Sequence, residues 1–276
     1  MKGGVKMKTL YISDLDGTLL DERSKITDYT AKVINGLAEK GMIFSFASAR
    51  SAYSAGSALE GLDMRFPAVV YNGAYIADIK SGARLTFHAF SEMEYRYIFD
   101  SYTAEGIYPA VFSFIDGKER CSYHKTLSSP RMLLQREKDK GDPRRRPVDD
   151  VGRMLDGDVF YFSAMGERAG LLPVYEKLYS RFECFFYADH EKDMTWLEVL
   201  PRGVSKATAA QELARQLGCE RIISFGDGRN DIPMFKISDE CYAVQNAADE
   251  LKNTATAVIS SNSDDGVAKW LKENYR

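Results

Sequence analysis

No run in this 276-residue sequence approaches the roughly 20 consecutive apolar residues that a helix needs to cross a bilayer. A membrane span is therefore not expected. The opening MKGGVKMKTLYIS carries lysines but no long apolar segment and no cleavage-like pattern, so no signal peptide is expected either. Met7 is an alternative start, and residues 1–6 read as a loose leader. Cysteine is scarce: Cys121, Cys184, Cys219 and Cys241 lie far apart and form no CxxC pair. That argues against a disulfide framework or a zinc site and for reduced thiols in the cytoplasm. Histidine is scarcer still, and His88, His124 and His190 are too scattered to form a ligand set. A net charge of −3 supplies no excess of positive charge to hold nucleic acid or an anionic membrane. Internal repeats and low-complexity stretches are also missing. What remains is a globular chain long enough for one large domain or two ordinary ones.

Strand and helix signals alternate over the first 80 residues. LYIS (10–13) is an apolar strand, and TDYTAKVINGLAEKG (27–41) is a helix with Thr27 as N-cap, apolar Ala31, Ile34, Leu37 and Ala38, and a stop at Gly41. MIFSFAS (42–48) is a second strand, followed by a short helix near 51–60 and the strand PAVVYN (67–72). The last third repeats the pattern, with helices at 203–218, near 231–237 and at 264–275, and strands at 221–225, 241–245 and 256–260. Strands separated by helices imply right-handed crossovers and a parallel sheet buried on both faces. The middle differs. VFSFIDGKERCSYH (111–124) alternates around Asp116-Gly117 as a hairpin does. Aromatic-rich strands at 158–165, 183–188 and 194–200, with helices at 91–105 and 167–180, read as an α+β unit with an antiparallel sheet. The expected fold is α/β, a Rossmann-like parallel sheet core from 1–82 and 196–276 with an inserted α+β domain at 83–195. The highly polar segment 135–150 reads as a solvated loop; the alternative puts Arg144, Arg145 and Arg146 near an anionic substrate.

Ligands of open parallel sheets bind beyond the carboxyl ends of the strands. The first strand ends in Asp14 and Asp16, within DLDGTLL (14–20); the second ends in ASAR, with Ser48 and Arg50. Lys206 opens the helix at 203, and strand 221–225 runs into GDGRND (226–231), with Asp227, Asn230 and Asp231. Each has an ordinary explanation as a turn, a cap or a surface lysine. Together they form a set that packing does not require and that suits phosphoryl transfer. Mg²⁺ favours hard oxygen ligands; Asp14 and Asp227 offer carboxylates and Asp16 its carbonyl. Repulsion between an attacking carboxylate and a phosphate would be lowered by the metal, the Lys206 ammonium and the Ser48 hydroxyl. Asp14 would form the aspartyl-phosphate, with Asp16 as acid and then base. Asn230 and Asp231 would orient metal waters and Lys206. Gly17 and Gly228 would let the backbone approach the phosphate.

DLDGTLL, ASAR, GVSK and GDGRNDIPMF, in that order, make the chain resemble the haloacid dehalogenase-like hydrolases, and within them the Cof-type branch with a C2B cap. The resemblance covers nearly the whole chain and implies Asp14 as nucleophile and Asp16 as acid/base. It also implies Ser48 and Lys206 as phosphate-binding groups and Asp227 and Asp231 as metal acids. YNGA (71–74) matches the family's Asn-Gly before the cap and brings in Asn72; SNSDDGVA (261–268) resembles its C-terminal segment. Gly17, Ser48, Arg50, Asn72, Lys206 and Asn230 are thus the expected substrate-binding residues, and Asp14, Asp16, Asp227 and Asp231 the expected Mg²⁺ site. The sequence departs from the family pattern at Ala49, Ala207 and Gln245, and Ala49 or Gln245 would alter the approach of the substrate.

The expected activity is Mg²⁺-dependent hydrolysis of phosphomonoesters of small metabolites, such as sugar phosphates or phosphorylated cofactors, by a cytoplasmic monomer or weak homodimer. A phosphomutase of the same superfamily is the alternative; it would need a bisphosphate activator. A non-catalytic phosphometabolite-binding regulator would lack the nucleophile or the acid, and both Asp14 and Asp16 are present. The aromatic side chains of the inserted domain read as a sheet packing on its own helices.

Overall fold

The computed structural model describes residues 7–137, 141–189 and 194–275. The expected leader at 1–6, His190 and part of the polar segment (138–140) lie outside them. Contacts divide the chain into two compact units: residues up to Phe87 together with those from Ser205 onward, and His88–Val204.

The first unit begins with β1 (Thr9–Ser13), α1 (Asp28–Glu39), β2 (Ile43–Phe46), α2 (Ala52–Ala58), β3 (Ala68–Val70), β4 (Tyr75–Ala77) and β5 (Arg84–Phe87). The Thr27 hydroxyl caps α1 by accepting from the Thr30 N–H. Gly41, at φ +93°, ends it with the Met42 N–H on the Leu37 carbonyl. β3 is shorter than its apolar run because Tyr71, Asn72 and Gly73 all take positive φ. That turn lies on the backbone of Ser205; a Cβ at Gly73 would sit 2.4 Å from the Ser205 carbonyl oxygen. β3, β4 and β5 form a small antiparallel sheet that the sequence pattern did not announce.

The inserted unit holds α3 (Glu92–Thr103), β6 (Ala110–Ile115), β7 (Lys118–His124), α4 (Pro130–Glu137), β8 (Arg145–Val148), β9 (Asp158–Gly166), α5 (Arg168–Leu178), β10 (Glu183–Asp189) and β11 (Met194–Leu200). Its sheet runs β10-β11-β9-β6-β7-β8. Asp116 and Gly117, both at positive φ, make the β6–β7 turn. Ile98, Phe99 and Tyr102 of α3 and Leu171, Val174 and Leu178 of α5 share a core with Val111, Phe162, Leu197 and Val199 of the sheet. Two expectations are corrected here. The sheet is mixed, because β8 pairs parallel with β7. And the polar segment is no solvated loop at its C-terminal end: residues 145–148 are that edge strand. An edge strand tolerates a basic run when each guanidinium finds a partner. Arg145 donates to the Tyr123 hydroxyl, and Arg146 to Ser122, the Arg153 carbonyl and Asp156.

The chain then returns to the first unit with α6 (Lys206–Gln216), β12 (Arg221–Gly226), α7 (Ile232–Ile237), β13 (Glu240–Val244), α8 (Asp249–Lys252), β14 (Ala257–Ile259) and α9 (Gly266–Asn274). The main sheet is wholly parallel, in the order β14-β13-β12-β1-β2. Leu10 and Ile12 of β1 pack with Ala209, Ala210, Leu213 and Ala214 of α6, which is why the strand reads as a continuous apolar run. β5 pairs with β4, and β11 with β9 and β10, so the units divide at 87/88 and 204/205, later in the chain than the 82/83 and 195/196 read from sequence.

β1 and β12 are neighbours in register, Ser13 beside Phe225, yet the chain leaves β1 toward β2 on one side and β12 toward β13 on the other. This is a topological switch point, where the strand ends leave a crevice.

Candidate active site

Asp14 follows the last residue of β1, and its N–H donates to the Phe225 carbonyl at 2.9 Å. The chain then coils tightly: the N–H groups of Thr18, Leu19 and Leu20 all donate to the Leu15 carbonyl. Leu15, Leu19 and Leu20 are buried by this turn. The leucine between the two acids thus anchors the turn, while Asp14 is buried and Asp16 exposed. Gly17 holds φ +75°, and a Cβ there would meet the Asp227 carboxylate at 2.4 Å. Only glycine allows this turn to lie so close to the end of β12.

Lys206, first residue of α6, is fully buried; its Nζ donates to Asp14 Oδ1 at 2.7 Å and Asp231 Oδ1 at 2.8 Å. A cation at a helix N-terminus opposes the helix dipole, so the two carboxylates are what hold it there. The second oxygen of Asp231 accepts from the N–H groups of Asp227 and Gly228, which closes the GDGRND turn. Asp227 accepts from the Thr18 hydroxyl at 2.7 Å. Asp14, Asp227 and Asp231 each bring one carboxylate oxygen within 4.8 Å of the others.

Burial pushes the Asp14 carboxyl well above the usual carboxylate range; Lys206 opposes this, while Asp231 and Asp227 add to it. Asp227 is pushed up to about 6 by burial and then by the Asp231 charge. For Lys206, burial works to lower the pKa, but Asp14 and Asp231 outweigh it and the net direction is upward. Three carboxylates face one ammonium, and the acids hold their charge at a cost. Hard oxygen donors short of positive charge fit a divalent cation.

The remaining residues singled out in the sequence lie at the end of β2, in the turn after β3 and within the GDGRND turn. Ser48 is buried past the end of β2; its Oγ accepts from the Arg50 N–H at 3.1 Å and its carbonyl from the Asn72 N–H at 2.9 Å. Asn72 is buried too, in the left-handed conformation at φ +53°. Arg50 reaches Asp16 with two nitrogens, Nε to Oδ2 at 2.7 Å and Nη2 to Oδ1 at 2.6 Å. Asn230 is half-buried next to Asp231, but no hydrogen bond among the described residues joins its side chain to Lys206.

Sequence reasoning missed three contributors. Thr18, inside DLDGTLL itself, ties that turn to Asp227. Asn246 donates to the Gly17 carbonyl at 2.7 Å, while its neighbour Gln245 is exposed. Asn262, within SNSDDGVA, donates to the Leu20 carbonyl and passes its N–H to Asn246. The last two lie in segments the sequence had flagged, the first of them for the departure at its neighbour Gln245.

Known proteins share this arrangement of the chain. A family model described as haloacid dehalogenase-like hydrolase matches residues 11–271. The 5-amino-6-(5-phospho-D-ribitylamino)uracil phosphatase YwtE of Bacillus subtilis is 27% identical over 97% of this chain and 98% of its own. A second B. subtilis protein of that activity, YitU, is 25% identical over 95% and 96%. Among solved structures, a haloacid dehalogenase-like hydrolase from Bacteroides thetaiotaomicron superposes with a TM-score of 0.79 at 22% identity, covering 97% of this chain and all of the other.

Proposed function

The chain belongs to the haloacid dehalogenase-like hydrolases and is a phosphatase, and from that premise we propose that it hydrolyses phosphomonoesters of small metabolites through an aspartyl-phosphate on Asp14, with Mg²⁺ as cofactor. The observation that carries this reading is the position of Asp14. It stands buried at the switch point, shares Lys206 with Asp231, and lies within metal-sharing distance of Asp227.

In the first step an Asp14 oxygen attacks phosphorus, the phosphorus–oxygen ester bond breaks, and Asp16 gives a proton to the leaving oxygen. In the second, Asp16 takes a proton from water, the water oxygen attacks phosphorus, and the Asp14–phosphorus bond breaks to release inorganic phosphate. Lys206 keeps Asp14 aimed and offsets its charge. The Ser48 hydroxyl donates to a phosphate oxygen. Asp14, Asp227, Asp231 and the Asp16 carbonyl would hold Mg²⁺, which when bound supplies the positive charge that lowers repulsion between carboxylate and phosphate.

The substrate class rests on the B. subtilis relatives, which are named for hydrolysis of a phosphomonoester of a ribityl chain. Sugar phosphates and phosphorylated cofactors share that chemistry. The inserted unit matches the family's cap in chain position, and substrate selection is assigned to it in this reading. The test is phosphate release from p-nitrophenyl phosphate and from a panel of phosphorylated metabolites. Asp14→Asn is expected to lower kcat on every substrate by roughly 10³-fold or more, since an amide does not attack phosphorus. Full activity in that variant would sink the mechanism.

A further inference from the structure

We propose that Arg50 is the positioning residue of Asp16: its guanidinium holds that carboxylate ready for proton transfer and does not bind the substrate phosphate. This rests on the acid/base reading of Asp16 given above. The geometry of Arg50 favours a fixed bracket. Its N–H donates to Ser48 Oγ at 3.1 Å, and its carbonyl accepts from the Tyr71 N–H at 3.0 Å. The next residue, Ser51, caps α2. Backbone and helix start therefore pin Arg50 before its side chain begins.

The side chain is spent in the same direction. Nε and Nη2 take the two oxygens of Asp16, and Nη1 reaches back to the Ser54 carbonyl at 3.4 Å. A planar fork on both carboxylate oxygens sets the rotation of the carboxylate as well as its position, which a lysine could not do. From the other side the Ser24 hydroxyl lies 3.4 Å from Asp16 Oδ1, on a loop closed by Asp21 Oδ1 accepting from the N–H groups of Arg23 and Lys25. Asp16 is half exposed, and among the described residues these are the hydrogen bonds its carboxylate accepts.

Each acid of the DLD sequence consequently has its own cation. Lys206 serves Asp14, Arg50 serves Asp16, and the buried Leu15 separates them. While Asp16 carries the proton, one carboxyl oxygen remains with the guanidinium and the other delivers the proton to the leaving oxygen as the phosphorus–oxygen bond breaks. Loss of the bracket would then slow the step in proportion to how much the leaving oxygen needs that proton.

The experiment compares single-turnover release of p-nitrophenol from p-nitrophenyl phosphate with release of phenol from phenyl phosphate. The first leaving group needs little protonation and the second needs more. Arg50→Met is expected to slow phenol release by about 10²-fold and p-nitrophenol release by less than about tenfold, with the inhibition constant of inorganic phosphate unchanged. Arg50→Lys, which holds one oxygen, should fall between and carries the test if Arg50→Met does not fold. Equal slowing of both substrates, with inorganic phosphate bound tenfold or more weakly, would overturn the proposal and make Arg50 a phosphate ligand. Asp16→Asn separates the premise: if that variant slows both leaving groups equally, the acid role of Asp16 fails, whatever Arg50 does.

Discussion

Lys206 in the first unit and Arg144 in the inserted unit each sit between two carboxylates, and the two clusters are built differently. Arg144 forks onto both oxygens of Asp142 and reaches Glu119 at 3.1 Å, with all three side chains 11–13% exposed. Lys206 is a point charge, 1% exposed, between Asp14 and Asp231, and a third carboxylate, Asp227, stands within 4.8 Å. The arginine cluster joins β7 to the start of an edge strand and keeps a small share of its surface in water. The lysine cluster lies where water does not screen it, with more acid than its one ammonium can balance. A fold does not keep an excess of buried negative charge for packing, because each uncompensated ion costs several kcal/mol. The excess fits a site that receives a divalent cation.

Removing the lysine should therefore give the largest effect. Lys206→Met leaves Asp14 and Asp231 buried without their ammonium, and is expected to cost about 3–5 kcal/mol of stability at neutral pH. It should also lower kcat by roughly 10²-fold or more, since Asp14 loses both aim and charge compensation. Denaturant unfolding beside phosphate release measures both. A loss no greater than that of an Arg144 variant would erase the difference between the clusters.

The pH dependence comes next in size. Asp14 and Asp227 have folded pKa values raised above the unfolded value of about 3.9. Raised carboxyls contribute stability that is present below the unfolded pKa and is lost as pH rises through the folded pKa. In chelator the protein should thus lose stability as pH rises from about 4 through about 6, the region set by Asp227. In the proposed reading Mg²⁺ would replace those protons, and its gain in Tm should be larger at pH 7.5 than at pH 5, with about 2.7 kcal/mol available at a hundredfold excess over Kd. An equal gain at both pH values would separate the metal from these acids.

The strand ends that carry Asp14, Ser48 and Asp227 were legible in sequence because apolar runs of four to seven residues end abruptly in polar ones. Lys206 was legible as a residue at a helix start. Its pairing with Asp231 was legible too; that Asp14 shares the same lysine was not, nor were the ties that join positions far apart in the chain: Thr18 to Asp227 across 209 residues, Asn246 to Gly17 across 229. The bracket from Arg50 to Asp16 spans only 34 residues. Yet a guanidinium near a phosphate site reads equally well as a phosphate ligand until its partners are seen. β8 was hidden for a different reason. Consecutive arginines look like a solvated loop, and only the partners across β7 and the Asp156 carboxylate make a strand of them.

Arg144 supplies the smallest and most discriminating case. The sequence left open that Arg144, Arg145 and Arg146 meet an anionic substrate, whereas the Arg144 guanidinium is engaged by Asp142 and Glu119. At 11–13% exposed the cluster lies between a surface ion pair and a buried one, and the freed carboxylates can be partly rehydrated, so its loss costs about 2 kcal/mol, below the cost expected at Lys206. Arg144→Met is accordingly expected to lower stability by that amount, less so in high salt, and to change kcat/KM less than about threefold. Thermal unfolding at two salt concentrations, with steady-state kinetics on the best substrate of the panel, reads both quantities. A tenfold rise in KM with Tm unmoved would make Arg144 a substrate ligand, and the contrast between a structural cation in one unit and a functional one in the other would no longer stand.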